Sequence, residues 1–83
     1  GVAASPNEEY IAVSHQGAGG TISLHNTETS ESWTIQTGAS PLGLEFSSDG
    51  SLLIVGNHGG SSISIIDVQT KEKAATNILI EGN

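Results

Sequence analysis

Three histidines, two lysines and nine acidic side chains carry the acid–base chemistry near neutral pH in this 83-residue chain. Their spacing decides what chemistry they could do. His15-Gln16 and Asn57-His58 stand at matching places in two similar segments, so a repeated fold would set imidazoles and amides around a common rim. Such a rim could bind a metal ion or a polyhydroxylated ligand. The simpler reading, and the one expected, makes these turn residues, with Asn57 tying its loop by backbone hydrogen bonds and the histidines in solvent. Glu45 replaces Ala3 of the other segment and could line a channel that attracts cations; a hydrated carboxylate at the channel edge is the expected form. His25 falls within a strand and is expected to be half-buried and structural.

No catalytic pattern accompanies these groups. The chain lacks a G-x-S-x-G elbow and an H-E-x-x-H pair, and no helical periodicity is present to carry a phosphate-cradling loop. The glycine-rich stretch at residues 17–20 joins two strands instead. With no cysteine, neither a disulfide nor a thiolate zinc site is available. No catalytic, cofactor or metal residue is therefore assigned, and a non-enzymatic chain is expected. A formal net charge of −7, with only Lys71 and Lys73 against nine acids, argues against nucleic-acid backbones and anionic membranes. No apolar run approaches the ~20 residues of a membrane span. The missing initiator Met suggests a trimmed N-terminus, and the composition leans toward an extracellular or surface setting without excluding the cytoplasm.

The elements that must position these groups come from an internal repeat. Gly1–Asn7 aligns with Gly43–Asp49, and Tyr10–His15 with Leu52–Asn57, 42 positions apart. After a one-residue deletion, Thr21–Asn26 aligns with Ser62–Asp67. Each copy reads as four short strands between turn clusters. They are expected at Val2–Ser5 and Leu44–Ser47, then Tyr10–Ser14 and Leu52–Gly56, which are almost wholly apolar. The third pair alternates, around Ile22 and Leu24 and around Ile63 and Ile65. The fourth, Trp33–Gln36 and roughly Ala75–Ile80, is the least regular and suits an outer edge. Ser48-Asp49-Gly50, Pro6-Asn7, Asn26 and Asp67 supply turn chemistry through Asx side chains and a glycine free to adopt positive φ.

A repeat of this length with four strands fits the propeller blade of ~40–50 residues. The second copy, SSDGSLLIVGNHGGSSISIIDVQTKE, resembles the YVTN/lactonase type of β-propeller repeat, with its S-x-D-G, N-x-G, I-S-I-I-D and T-K features. The resemblance implies a Gly-x-x-Pro-x-Gly lead into each blade, which Gly38-Ala39-Ser40-Pro41-Leu42-Gly43 matches. WD40-like repeats share much of the pattern, but the Trp-Asp and Gly-His dipeptides are missing here. Lactonase activity in that family draws on loop residues from several blades, and none is recognisable in these two.

The expected fold is thus all-β, with two four-stranded antiparallel blades at residues 1–42 and 43–83. Two blades leave two apolar faces uncovered. A ring is completed either by self-association, as a trimer in preference to a tetramer, or by further blades of a longer parent chain. The expected role is a non-catalytic scaffold presenting loops to a protein or glycan partner. The alternative is a two-blade piece of a lactonase-like or redox-enzyme propeller.

Overall fold

The computed structural model describes residues 1–15, 19–60 and 62–79. The chain is all-β. Its strands are β1 (Val2–Ala4), β2 (Tyr10–His15), β3 (Thr21–Asn26), β4 (Ser32–Gln36), β5 (Pro41–Phe46), β6 (Leu52–Asn57), β7 (Ser62–Asp67) and β8 (Glu72–Leu79). They form two antiparallel four-stranded sheets in sequential order, β1-β2-β3-β4 and β5-β6-β7-β8. Two strand starts differ from expectation by three residues, and the other bounds by no more than one. Strand β5 starts at Pro41 because Pro41 pairs with Asn57 across a bulge before Gly43. Strand β8 starts at Glu72, which continues the ladder from Asp67. The expected absence of helix is corrected by one 3-10 turn at His58–Gly60.

The turns repeat their main Asx hydrogen bonds. Asp49 Oδ1 accepts from the Ser51 amide at 3.0 Å and from Ser47 Oγ at 2.7 Å, and Ser47 Oγ accepts from the Leu52 amide. Asn7 Oδ1 likewise accepts from the Glu9 amide and Ser5 Oγ, and Ser5 Oγ accepts from the Tyr10 amide. The less typical Pro6-Asn7 turn is therefore the equal of the Asp-Gly one. It is built with Glu8 at φ 62° where Gly50 has φ 77°. The β3–β4 and β7–β8 turns match likewise. Asn26 Oδ1 accepts from the Glu28 and Thr29 amides, Asp67 Oδ1 from those of Gln69 and Thr70. Ser30 and Lys71 close them at φ 65° and 63°.

Cross-strand partners share a sheet face and neighbours along a strand alternate, so the register assigns the side chains of β1 to β7 to faces. In the first sheet Ala12 pairs with Ala3 and Leu24, Leu24 with Trp33, and Ile22 with Ile35. In the second, Val55 pairs with Leu44, and Leu53 with Phe46 and Ile66. These two sets meet in one core, in which Ala12, Ile22, Leu24, Leu53, Val55 and Ile66 are fully buried. Burying each large aliphatic side chain contributes about 1.5–3 kcal/mol.

The two sets are not repeat equivalents. Ala12 and Leu24 face inward, whereas their counterparts Ile54 and Ile65 lie on the far face of the second sheet, paired with each other. Leu53 and Val55 face inward, whereas their counterparts Ile11 and Val13 lie on the far face of the first. The sheets therefore stack head to tail, with one kind of face meeting the other. Both far faces are open. Val2 is 70% exposed, and Ile11 and Ile54 are each 38% exposed. The apolar second strands are thus covered on one side only.

Candidate functional site

Asn57 is the hub of one end of the molecule. It is 1% exposed. Its Oδ1 accepts the Gly38 amide at 3.1 Å, and its Nδ2 donates to Ser64 Oγ at 2.9 Å and Ser62 Oγ at 3.3 Å. Gly38 lies in the linker between the sheets, so one carboxamide joins that linker to the β6–β7 hairpin. The His58 amide adds a bond to the Ser40 carbonyl, and the Gly59 amide one to the Ala39 carbonyl. A Cβ on Gly38 would lie 2.8 Å from the Asn57 carboxamide, which explains the glycine at the head of the Gly-x-x-Pro-x-Gly lead. Asn57 thus spends its polar atoms on the protein, holding the linker as well as its own loop.

The other residues of the expected rim are placed differently. His15 is exposed at the end of β2, and its Nε2 is hydrogen-bonded to Ser23 Oγ. His58 is exposed on the 3-10 turn. Gln16 lies outside the described residues. His25 corrects an expectation: it is exposed rather than half-buried, because it faces outward between Ile11 and Ser32 where nothing covers the first sheet. Glu45 is exposed on β5 and shares its face with Ile54. Among the described residues no three His, Asp or Glu side chains gather as a metal site.

A group not foreseen from the sequence occupies the opposite end. Lys71 Nζ lies 4.5 Å from the Trp33 ring centroid and 5.0 Å from that of Tyr10. The two rings are 6.3 Å apart and tilted by 52°. A turn of the second sheet thereby pins the aromatic pair of the first, a cation–π contact worth about 0.5–1 kcal/mol at an exposed site. The usable sequence signal was topological, since Tyr10, Trp33 and Lys71 all flank loops at one end. Lys71 also borders an open cleft of about 260 Å³ lined by Asn7, Glu9, Tyr10, Asp49 and Val68. The amide of Ser51 and the hydroxyls of Ser47 and Ser51 hold the Asp49 carboxyl down at about 2. All of these donors belong to its own turn, so the low value reflects turn structure rather than a ligand site.

No family model matches the chain, and no curated protein does. Among solved structures it is similar to a chain of the Kuenenia stuttgartiensis hydrazine synthase, with a TM-score of 0.85 at 21% identity. The match covers 95% of this chain and 22% of that one, so this chain spans less than a quarter of its neighbour. At that identity the likeness is one of fold, and it fits a propeller-like stack of two sheets.

Proposed function

We propose that the chain is a non-catalytic β-propeller scaffold of the YVTN, WD40-like kind, whose two blades belong to a ring that presents its loops to a protein or glycan partner. Head-to-tail stacking carries the reading. A contact between unlike faces leaves each face free again at the other end of the chain, and such heterologous contacts close into rings or run on as open arrays. The open face of the second sheet carries Leu52, Ile54, Ile63 and Ile65, the counterparts of Tyr10, Ala12, Ile22 and Leu24, which the first sheet presents to the core. The open face of the first carries Val2, Ile11 and Val13, the counterparts of Leu44, Leu53 and Val55. Each open face is thus the mate of the other. With propellers typically of about 4–8 blades, three copies give six and four give eight.

A second reading has its own support. Because this chain spans less than a quarter of the neighbouring hydrazine synthase chain, the blades that cover its faces could belong to a longer parent of lactonase-like or redox type. Light scattering after size exclusion separates the two. A discrete trimer or tetramer supports the self-assembled ring, whereas a monomer or a continuum of aggregates favours the longer parent. Hydrolysis of a sugar lactone by the assembled chain would overturn the non-catalytic reading.

A further inference from the structure

We propose that the outer edge of β4 is a docking site for an extended, basic segment of a protein partner, which joins the first sheet as an added antiparallel strand. The site stands apart from the ring reading, because it is a strand edge and not a sheet face. Each sheet ends in two edges, and three of the four are blunted in ways that discourage strand addition. Strand β1 has only three residues. Strand β5 carries Pro41, Glu45 and a bulge before Gly43. Strand β8 carries Glu72 and breaks register twice against β7. Strand β4 has none of these devices. Its residues Ser32–Gln36 include no proline and no charge, and they pair with β3 in unbroken register. Among the described residues no strand lies on its other side.

The ladder fixes which backbone groups face outward. The Asn26 amide donates to the Glu31 carbonyl, and the Thr37 amide to the Gly20 carbonyl. Hydrogen-bonded pairs alternate along an antiparallel ladder, so Trp33 and Ile35 also turn their amides and carbonyls toward β3. Ser32, Thr34 and Gln36 turn theirs outward, offering three amides and three carbonyls to an incoming backbone. Side chains decide what that backbone should carry. Cross-strand partners share a face, and aromatic with β-branched pairs or paired threonines are favourable. Apolar residues therefore fit opposite Trp33 and Ile35, and a hydroxyl fits opposite Thr34. Charge supplies the rest. Residues 1–42 hold Glu8, Glu9, Glu28 and Glu31 with no lysine or arginine, and exposed Glu31 stands directly before β4. A basic segment is drawn to this edge, whereas a second copy of net charge −7 is repelled.

The probe is the capped peptide Lys-Thr-Trp-Thr-Ile-Thr-Lys, whose central threonine falls opposite Thr34 and whose last lysine falls opposite Glu31. Amide hydrogen exchange of the whole chain is followed by NMR with and without it. Without peptide, the Trp33 and Ile35 amides should be protected and those of Ser32, Thr34 and Gln36 should exchange freely. Saturating peptide should slow these three roughly ten-fold or more. Thr34→Pro removes an outward amide without breaking the β3 ladder, and should weaken peptide binding roughly ten-fold. Modified peptides make the same test on the unaltered chain. N-methylation at the three threonines, whose amides face β4, should abolish binding, whereas N-methylation at Trp and Ile should spare it. Glutamates in place of the peptide lysines should weaken binding, most at low salt. Unchanged exchange at the three amides, or equal binding of the two methylated peptides, overturns the edge. Protection that grows with protein concentration in the absence of peptide makes a second copy the occupant and overturns the basic partner. Failure here leaves the ring reading intact, and a monomeric chain leaves the edge intact.

Discussion

Single residues in this chain do conformational work that their neighbours in the repeat do by other means. Asn7 and Asp49 hold equivalent turns with matching amide and serine bonds, to which Asp49 adds the Ser51 hydroxyl, and only Asp49 titrates. Its carboxyl is held down in the folded state, so its contribution is complete above the ordinary aspartate range and is lost as pH falls through about 2. Acid titration followed by NMR should move the Ser51 amide near that value and leave the Glu9 amide of the other turn unaffected. Asp49→Asn should remove the response and keep the turn. Ser30 and Lys71 occupy the same left-handed position. Ser30→Gly should raise the stability by about 1 kcal/mol in urea unfolding, through relief of a positive φ. Lys71→Gly should gain much less, because it also loses its seat over Tyr10 and Trp33.

At the scale of strands and turns, much of the architecture was legible because its causes are local. Asx residues, Gly50 and the Pro41 lead act within a few positions of themselves, and they bound the strands within a few residues of where they lie. What the strands could not announce is which face finds a partner. Alternation along β7 groups Ile63 with Ile65 and Ser62 with Ser64, and the apolar pair reads as the buried one. The structure buries Ser62 and Ser64 beside Asn57 and leaves both isoleucines half-covered on the open face. Period-two patterning shows which residues share a side, whereas the side that is covered depends on the neighbouring sheet. For the same reason Asn57 could be read as a loop-tying residue, but its hold on Gly38 could not, since that bond crosses between sheets. Leu24, fully buried between the sheets, should cost about 2–5 kcal/mol when truncated to alanine, measured by thermal or denaturant unfolding.

For the whole molecule, the open faces make the strongest demand. Ile54→Asp places a charge in the middle of the second sheet's open face while leaving the internal core untouched. Folding within the chain should persist, and assembly into higher species should be lost by light scattering, since the carboxylate would be buried unpaired between sheets. His58→Ala alters only an exposed side chain and should leave the mass unchanged. Normal assembly of Ile54→Asp would remove the basis of the ring. Head-to-tail stacking also bears on how such a molecule lengthens. A mirrored sandwich is finished once its like faces meet, and a third sheet would need a surface of a new kind. Here a tandem duplication of one repeat inserts a junction of a kind already present and returns the same two ends, so the chain can grow in single-repeat steps without any new contact having to evolve.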